Sequence, residues 1–368
     1  MLKTHIQGPP IQNVTQGQSA ILNLDAGPRY HAVPLIATVT KTAPAAGFTS
    51  ATLSDVLGLL QIKVNTKMKR QHTAQELNEV QTAWDFQGAA ILYDKQDNNF
   101  NAVADSTNTY NSISCTTRVS TWVLVVNFAE PCRDSFLARE LYAWPTTWIK
   151  NGTVVQTANI QMNIAVPNTT TAGLTRANIN TTMSAGYQLM ETPVIRGEVV
   201  FDAGTGVFDA QTGLPVMPGT QWYRDNLIYS STNFMNRIWS FLGNINQMSI
   251  FSPDTSGDDV WKCTLKRTPV GGSVTNIFDG SKKVRDGESL VYGWNPYHLG
   301  ITTGDATGTN WHAADVFHLA MDFDDTPTNF LPFNQGDVLE LDLTLYQATA
   351  SQKNLIVISQ VYNDMLTN

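Results

Sequence analysis

The sequence predicts an all-β chain of two antiparallel eight-stranded sandwiches with a few short helices. Three observations carry this. Apolar residues alternate with a period of two along much of the chain, helical signals are few, and turn chemistry is dense. The length of 368 residues exceeds the usual single core of about 100 to 150 residues, so two domains or one repeated architecture is expected.

In chain order, Ala26-Gly-Pro-Arg29 marks an early turn. Ile62, Val64, Thr66 and Met68 then fall on one face and Lys63, Asn65, Lys67 and Lys69 on the other, as a half-buried strand requires. The basic run Lys63, Lys67, Lys69 and Arg70 is expected to be a solvated face. Thr73-Ala-Gln-Glu76 is a capping box, in which the threonine hydroxyl accepts from an amide three residues on and the glutamate reaches back. Leu77, Val80 and Trp84 continue the stripe of that helix. Trp122 to Val126 is an unbroken apolar run that reads as a strand buried on both sides. Pro131 cannot donate a ladder hydrogen bond, so this strand ends near Asn127. Asn151-Gly152 is a hairpin turn, and Ala158, Ile160, Met162, Ile164 and Val166 alternate with Asn159, Gln161 and Asn163.

The polar segment 168–182, NTTTAGLTRANINTT, is the expected boundary. It divides the chain into an N-terminal unit, 1–167, with a short arm, a linker, 168–189, and a C-terminal unit, 190–368. Each half has room for about eight strands, the number in a jelly roll. A second helix is expected over 226–242, where Leu227, Phe234, Ile238 and Phe241 share a face. Asp279-Gly280 and Asp286-Gly287 read as turns. Phe317, Leu319, Met321 and Phe323 alternate with polar residues, as do Leu339, Leu341, Leu343 and Leu345 with Glu340, Asp342 and Thr344. Both predict strands with one wet face. Leu355 to Ile358 reads as buried on both sides.

Charged residues make up only 15% of the chain against 42% hydrophobic, well below the roughly 25% charge of an ordinary domain. Either other subunits cover much of the surface, or loops rich in Thr and Asn solvate a monomer. The net charge of −8 argues against a protein that neutralises phosphates, so direct nucleic-acid binding is not expected. Cys115, Cys132 and Cys263 are odd in number and far apart, which implies no disulfide framework. No window approaches about 18 consecutive apolar residues, and MLKTHIQGPP lacks an apolar signal core, so neither a membrane-spanning helix nor a secretion address is expected.

The stretch FAEPCRDSFLARELYAWPTTWIKNG, from Phe128, concentrates Glu130, Cys132, Arg133, Asp134, Arg139 and Glu140. A reactive thiol needs a neighbouring base, and no histidine lies within fifty residues of Cys132 on either side. An amphipathic, salt-bridged connector is expected instead. His318, Asp322 and Asp324 point the same way along a strand and are the only weak metal candidates. No His-x-His or His-x-Asp spacing accompanies them, and the hydrated face of a strand running into an Asp-rich turn is the expectation. Acidic loops at Asp254, Asp258 and Asp259 lack regular calcium-loop spacing. There is no G-x-S-x-G elbow, P-loop, G-x-G-x-x-G after a strand, or HExxH. No catalytic residue and no cofactor is expected; Trp294, Tyr297 and Trp311 are expected in a core or an interface, with sugar stacking the other reading.

The order of elements is familiar. The turn GPRYH, the strand QIKVNTKMKR, the capped helix HTAQELNEVQTAW, the strand ending in NFAEPCRDSFLAREL and the entry Trp144-Pro145-Thr146 together resemble one family. It is the double jelly-roll major capsid proteins of tailless, internally membraned double-stranded DNA bacteriophages, the tectivirus and corticovirus lineage. The C-terminal FHLAMDFDDTPTNFLPFNQGDVLELDLTLYQATASQKNLIVISQ is similar to the last strands of that family. Thr73, Glu76, Leu77, Trp84, Phe128, Pro131, Trp144 and Pro145 carry the likeness as a structural signature. The resemblance implies a homotrimer of pseudo-hexagonal outline tiling an icosahedral shell. It also implies an internal membrane and genome beneath that shell, lattice neighbours and other virion proteins such as a penton protein as partners, and assembly in the host cytoplasm. Loops within 203–220 and 302–310 are expected as outward towers. The Pro pair of MLKTHIQGPP breaks a helix and argues against the membrane-lying N-terminal helix of some relatives. The competing readings are a cupin-like or lectin-like sandwich holding a metal or a sugar, and a phage spike.

Overall fold

The computed structural model describes residues 3–7, 9, 11–13, 17–27, 29–40, 50–52, 57–74, 76–77, 80, 90–96, 99–102, 112–114, 119–129, 143–166, 188–189, 194–198, 207–229, 233–240, 243–251, 260–291, 297–298, 312–313, 316–321, 331–345 and 353–366. The first strands are β1 (Lys3–Gln7), β2 (Ser19–Leu24), β3 (Arg29–Thr40), β4 (Ser50–Thr52), β5 (Leu59–Val64), β6 (Lys67–Thr73), β7 (Ala90–Gln96) and β8 (Asn99–Ala102). There follow β9 (Ser112–Ser114), β10 (Val119–Asn127), β11 (Thr147–Lys150), β12 (Thr153–Thr157), β13 (Ile160–Ala165), β14 (Gln188–Leu189) and β15 (Val194–Glu198). A seven-stranded sheet runs β1-β15-β3-β10-β7-β8, with β14 also on β3, and packs against the four-stranded sheet β2-β13-β5-β6. Pairing within the first sheet thus reaches past residue 189 to Glu198.

The second sandwich contains β16 (Val207–Phe208), β17 (Pro215–Val216), β18 (Pro218–Tyr229), β19 (Phe234–Trp239), β20 (Gly243–Phe251), β21 (Val260–Thr268), β22 (Thr275–Ser281) and the helix α1 (Lys282–Val291). It closes with β23 (Tyr297–His298), β24 (His312–Ala313), β25 (Val316–Ala320), β26 (Leu331–Phe333), β27 (Val338–Leu345) and β28 (Lys353–Asp364). The sheet β18-β28-β20-β25, with β26 on β20, faces β19-β27-β21-β22 across a core of Ile245, Met248, Ile250, Leu265, Leu341 and Leu343. Among the described residues no helix is long and apolar enough to cross a membrane.

The period-two reading holds where one sheet face is buried. Ile160, Met162 and Ile164 are fully buried while Gln161 and Asn163 are not, and Leu339 to Leu345 repeat the pattern. Asn127 ends β10 as expected, and Asn151 with Gly152 (φ 51° and 79°) turns β11 into β12.

Five expectations are corrected. The alternation from Ile62 to Met68 is not one strand: Asn65 and Thr66 adopt φ of 47° and 75° and turn β5 into β6, a two-residue hairpin of primed type. After that turn Lys69 and Arg70 are buried while Lys67 is exposed and Lys63 half-buried, so only part of the basic run is a solvated face. The segment 226–242 is not a helix but the end of β18 and all of β19, because pairing with β28 and β27 supplies backbone partners that a local apolar stripe cannot outweigh. Asp279-Gly280 lies inside β22, and Asp286-Gly287 inside α1, where Lys282 reaches Asp286 one turn on at 3.0 Å. The strand of Phe317 and Leu319 has no wet face, since all five residues of β25 are buried. The segments 130–142 and 322–330, with Cys132 and Phe323, lie outside the described residues.

Candidate functional site

The apolar core does not stop at the edge of either sandwich. Met217, Trp222, Val316, Ile356, Ile358 and Met365 of the second belong to the same buried cluster as Leu77, Val80, Phe128 and Trp144 of the first. The surface between them, the seam, is where the signature residues converge.

Register explains why Arg70 and His72 reach it. On β6 they stand opposite Ile62 and Leu60, both core residues, so they point inward on a strand at the sheet's edge. Arg70 Nε donates to the Thr220 carbonyl at 2.9 Å and Nη1 to the Asn127 carbonyl at 2.5 Å, the end of β10. Its guanidinium lies 4.8 Å from the Trp144 ring centroid, 5.2 Å from Trp222 and 5.9 Å from Phe128. Aromatic faces are electron-rich, so three of them stabilise a cation that has been withdrawn from water. Phe128 itself packs on Trp144 at 4.6 Å. Its N–H and that of Ala129 both donate to the His31 carbonyl, turning the chain out of β10.

The capping box is formed as read. Thr73 N–H donates to Glu76 Oε2 at 3.0 Å and Glu76 N–H to Thr73 Oγ1 at 3.1 Å. Residues 74, 76, 77 and 80 are helical. Glu76 does more than cap: both of its oxygens accept from Arg224 of β18, at 2.7 to 3.0 Å, in a bidentate pair across the seam. That partner raises the Arg224 pKa.

His72 is fully buried and stacks on Trp222 at 4.9 Å, and burial holds its pKa down to about 3. Nδ1 faces the Thr73 carbonyl at 3.2 Å, while Nε2 has no partner among the described residues. Burial also lowers the Lys69 pKa. The early turn and the Trp144 entry are joined: Thr146 Oγ1 accepts from Gly27 N–H at 2.8 Å and donates to its carbonyl at 3.1 Å, and Tyr30 and Trp144 exchange backbone hydrogen bonds. Pro145, between them, is buried. Gly219 makes room for Trp144, since a Cβ there would lie 2.7 Å from Nε1.

Of the signature residues, Thr73, Glu76, Leu77, Phe128, Trp144 and Pro145 are thus gathered at or beside the seam; Trp84 and Pro131 lie outside the described residues. Arg70, His72, Trp222 and Arg224 complete the seam and were missed. Recognising Asn-Thr as a turn would have re-phased β6 and turned Arg70 inward. His318 does not stand on a hydrated face: it is buried on β25, with Nδ1 2.9 Å from Ser249 Oγ and its carbonyl accepting from Arg285 Nε, and burial lowers its pKa to about 3. Asp322 and Asp324 lie outside the described residues. Cys263 is buried and its thiol pKa is pushed up by desolvation, the opposite of an activated nucleophile.

No protein-family model and no curated protein matches the sequence. Solved structures do match. The major capsid protein of bacteriophage PM2 superimposes with a TM-score of 0.59 at 10% identity, covering 100% of this chain and 99% of that one. The STIV major capsid protein gives 0.54 at 12% identity, with 99% and 96% covered. VP54 of PBCV-1 gives 0.56 at 10% identity, with 98% and 93% covered. The chain therefore has the double jelly-roll fold of these viral capsid proteins.

Proposed function

We propose that this chain is a major capsid protein of a tailless, internally membraned bacteriophage. Three copies form a pseudo-hexagonal trimer, and trimers tile an icosahedral shell around a membrane and a double-stranded DNA genome. The observation that carries the reading is the seam. It fixes two sandwiches of like strand order to each other through a buried, charge-assisted contact, so that a trimer presents six similar blocks. The low charge supports it, because obligate interfaces of about 2,000 to 5,000 Å² are core-like and poor in charge. The acidic balance fits a coat separated from its genome.

β14 and β15 pair back onto the first sandwich, so the second unit starts after Glu198 and not at residue 190. The division of the chain into two units belongs to the same proposal. So do a structural, non-catalytic role, lattice neighbours and a penton protein as partners, contact with the internal membrane, and assembly in the host cytoplasm. Size-exclusion chromatography with light scattering should show a trimer, and electron microscopy of the parent particle should show pseudo-hexagonal capsomers. A chain that remains monomeric at high concentration would overturn the proposal. Release of about one metal ion per chain to a chelator would favour the cupin-like reading.

A further inference from the structure

The contact between the two sandwiches uses one whole sheet face of the second. Register sets Trp222, Gln360, Gln247 and Ala320 in a row across β18-β28-β20-β25, and Arg224, Ile358, Ser249 and His318 in the next. Leu355, Val357, Met248 and Leu319 alternate with them and line the second sandwich's own core, so these rows point away from it. Trp222, Val316, Ile356 and Ile358 of this face join the buried cluster of the first sandwich, and of the two rows only Arg224 is not buried.

His72 is the titratable ring that the first sandwich sets against this face. It is 0% exposed and stacks on Trp222. A carbonyl can only accept, so the contact of Nδ1 with the Thr73 carbonyl at 3.2 Å places the proton of the neutral ring on Nδ1. A second proton must therefore enter at Nε2, where no acceptor stands among the described residues. The charges around the ring do not favour it. Arg70 on β6 and Arg224 on β18 both oppose a further positive charge, and Glu76, from the helical turn after β6, has both oxygens engaged by Arg224. β5 brings apolar Leu60 to the position opposite, and the end of β10 brings the Asn127 carbonyl, which Arg70 already occupies.

An imidazolium in that place would be a buried cation between two guanidiniums, and water is what it lacks. Parting β6 from β18 supplies water without breaking a ladder, because β6 pairs with β5 and β18 with β28, each inside its own sandwich.

We propose that the contact of β6 with β18 is an acid-operated joint: protonation of His72 parts the two sandwiches at the seam while each stays folded. The joint belongs to the single chain and does not depend on how copies assemble. The folded-state pKa of His72, held down to about 3 by burial, lies below its ordinary 6.5, so the closed form is fully favoured above about pH 6.5. Each pH unit below that raises the opening constant by up to about tenfold, until about pH 3. Opening uncovers Trp222, Ile356 and Ile358, an apolar face that neutral pH conceals.

Hydroxyl-radical footprinting of the purified chain between pH 7 and pH 4, read by mass spectrometry, tests the joint. Trp222 and Met217 lie in the shared cluster, whereas Met162 and Met248 are fully buried inside the first and second sandwich. Labelling of Trp222 and Met217 should rise by about tenfold or more as the pH falls, with Met162 and Met248 still protected. His72→Gln keeps a polar side chain that takes no proton, and should remove most of that rise. Labelling of all four residues together would mark ordinary unfolding and overturn the joint. So would Trp222 protected down to pH 4, or a rise in His72→Gln as large as in the wild type. If His72→Gln does not fold, the contrast between Trp222 and Met248 in the wild type decides.

Discussion

Glu76 caps a helix with one contact and grips Arg224 across the seam with another, so a single carboxylate couples a local motif to the tertiary structure. Thr73→Ala removes the hydroxyl that accepts the Glu76 N–H and should cost about 1 kcal/mol, seen as a lower urea midpoint; an unchanged midpoint would count against the cap. The buried histidines set a pH dependence. The folded pKa of His72 is about 3 and its ordinary value is 6.5, so between these the unfolded chain binds a proton that the folded chain refuses. Stability is therefore fully present above about pH 6.5 and is lost as pH falls toward 3, at up to about 1.4 kcal/mol per pH unit for each such histidine. Burial is the main cause; of the groups around His72, Arg70 on its own strand and Arg224 on β18 oppose a further positive charge, while the Thr73 carbonyl that Nδ1 faces favours one. His318, beside Arg285, behaves alike. His72→Gln should make urea-derived stability visibly less steep over that window, and an identical slope would refute the role given to His72.

Among the elements, the β5–β6 hairpin is the most informative, because its turn decides which way Arg70 faces. Thr66 is β-branched and held at φ 75°, a conformation that costs such a residue of order 1 kcal/mol. Thr66→Gly should raise the stability by about that amount, read from the midpoint of thermal unfolding; a loss would mean the threonine makes a compensating contact. β18 depends on a glycine for the opposite reason. Gly219→Ala puts a methyl against Trp144 and should cost about 1 to 3 kcal/mol by overpacking, with a shift in tryptophan fluorescence as the local signature.

At the scale of the molecule, one apolar cluster runs from the first sandwich into the second. Two cores that share side chains cannot melt separately without exposing Trp222, Ile356 and Ile358. Calorimetry of the dissociated chain should therefore give a single transition whose calorimetric and van't Hoff enthalpies agree. Arg70→Ala leaves the Thr220 and Asn127 carbonyls without their donor and should resolve two transitions. Two well-separated transitions in the wild type would show that the seam does not couple the sandwiches.

The sequence was most legible where one residue's pattern needs no distant partner. The alternation through Ile160 and Leu341, the Thr73 capping box, the Asn151-Gly152 turn and the end of β10 near Asn127 all follow from local geometry. It was least legible where a partner far along the chain outweighs a local signal. Leu227, Phe234 and Ile238 mark a helical face until β27 and β28 claim their backbones, and Asp286-Gly287 reads as a turn until α1 packs on β21 and β22. Strand period and composition, properties of neighbouring residues, determined the all-β class and the poverty of charge. Only the tertiary structure decided that Arg70, His72 and Glu76 form a seam. Their partners Trp222, Thr220 and Arg224 lie well over a hundred residues away, and it is removal from water in that company that turns Arg70 into a buried anchor.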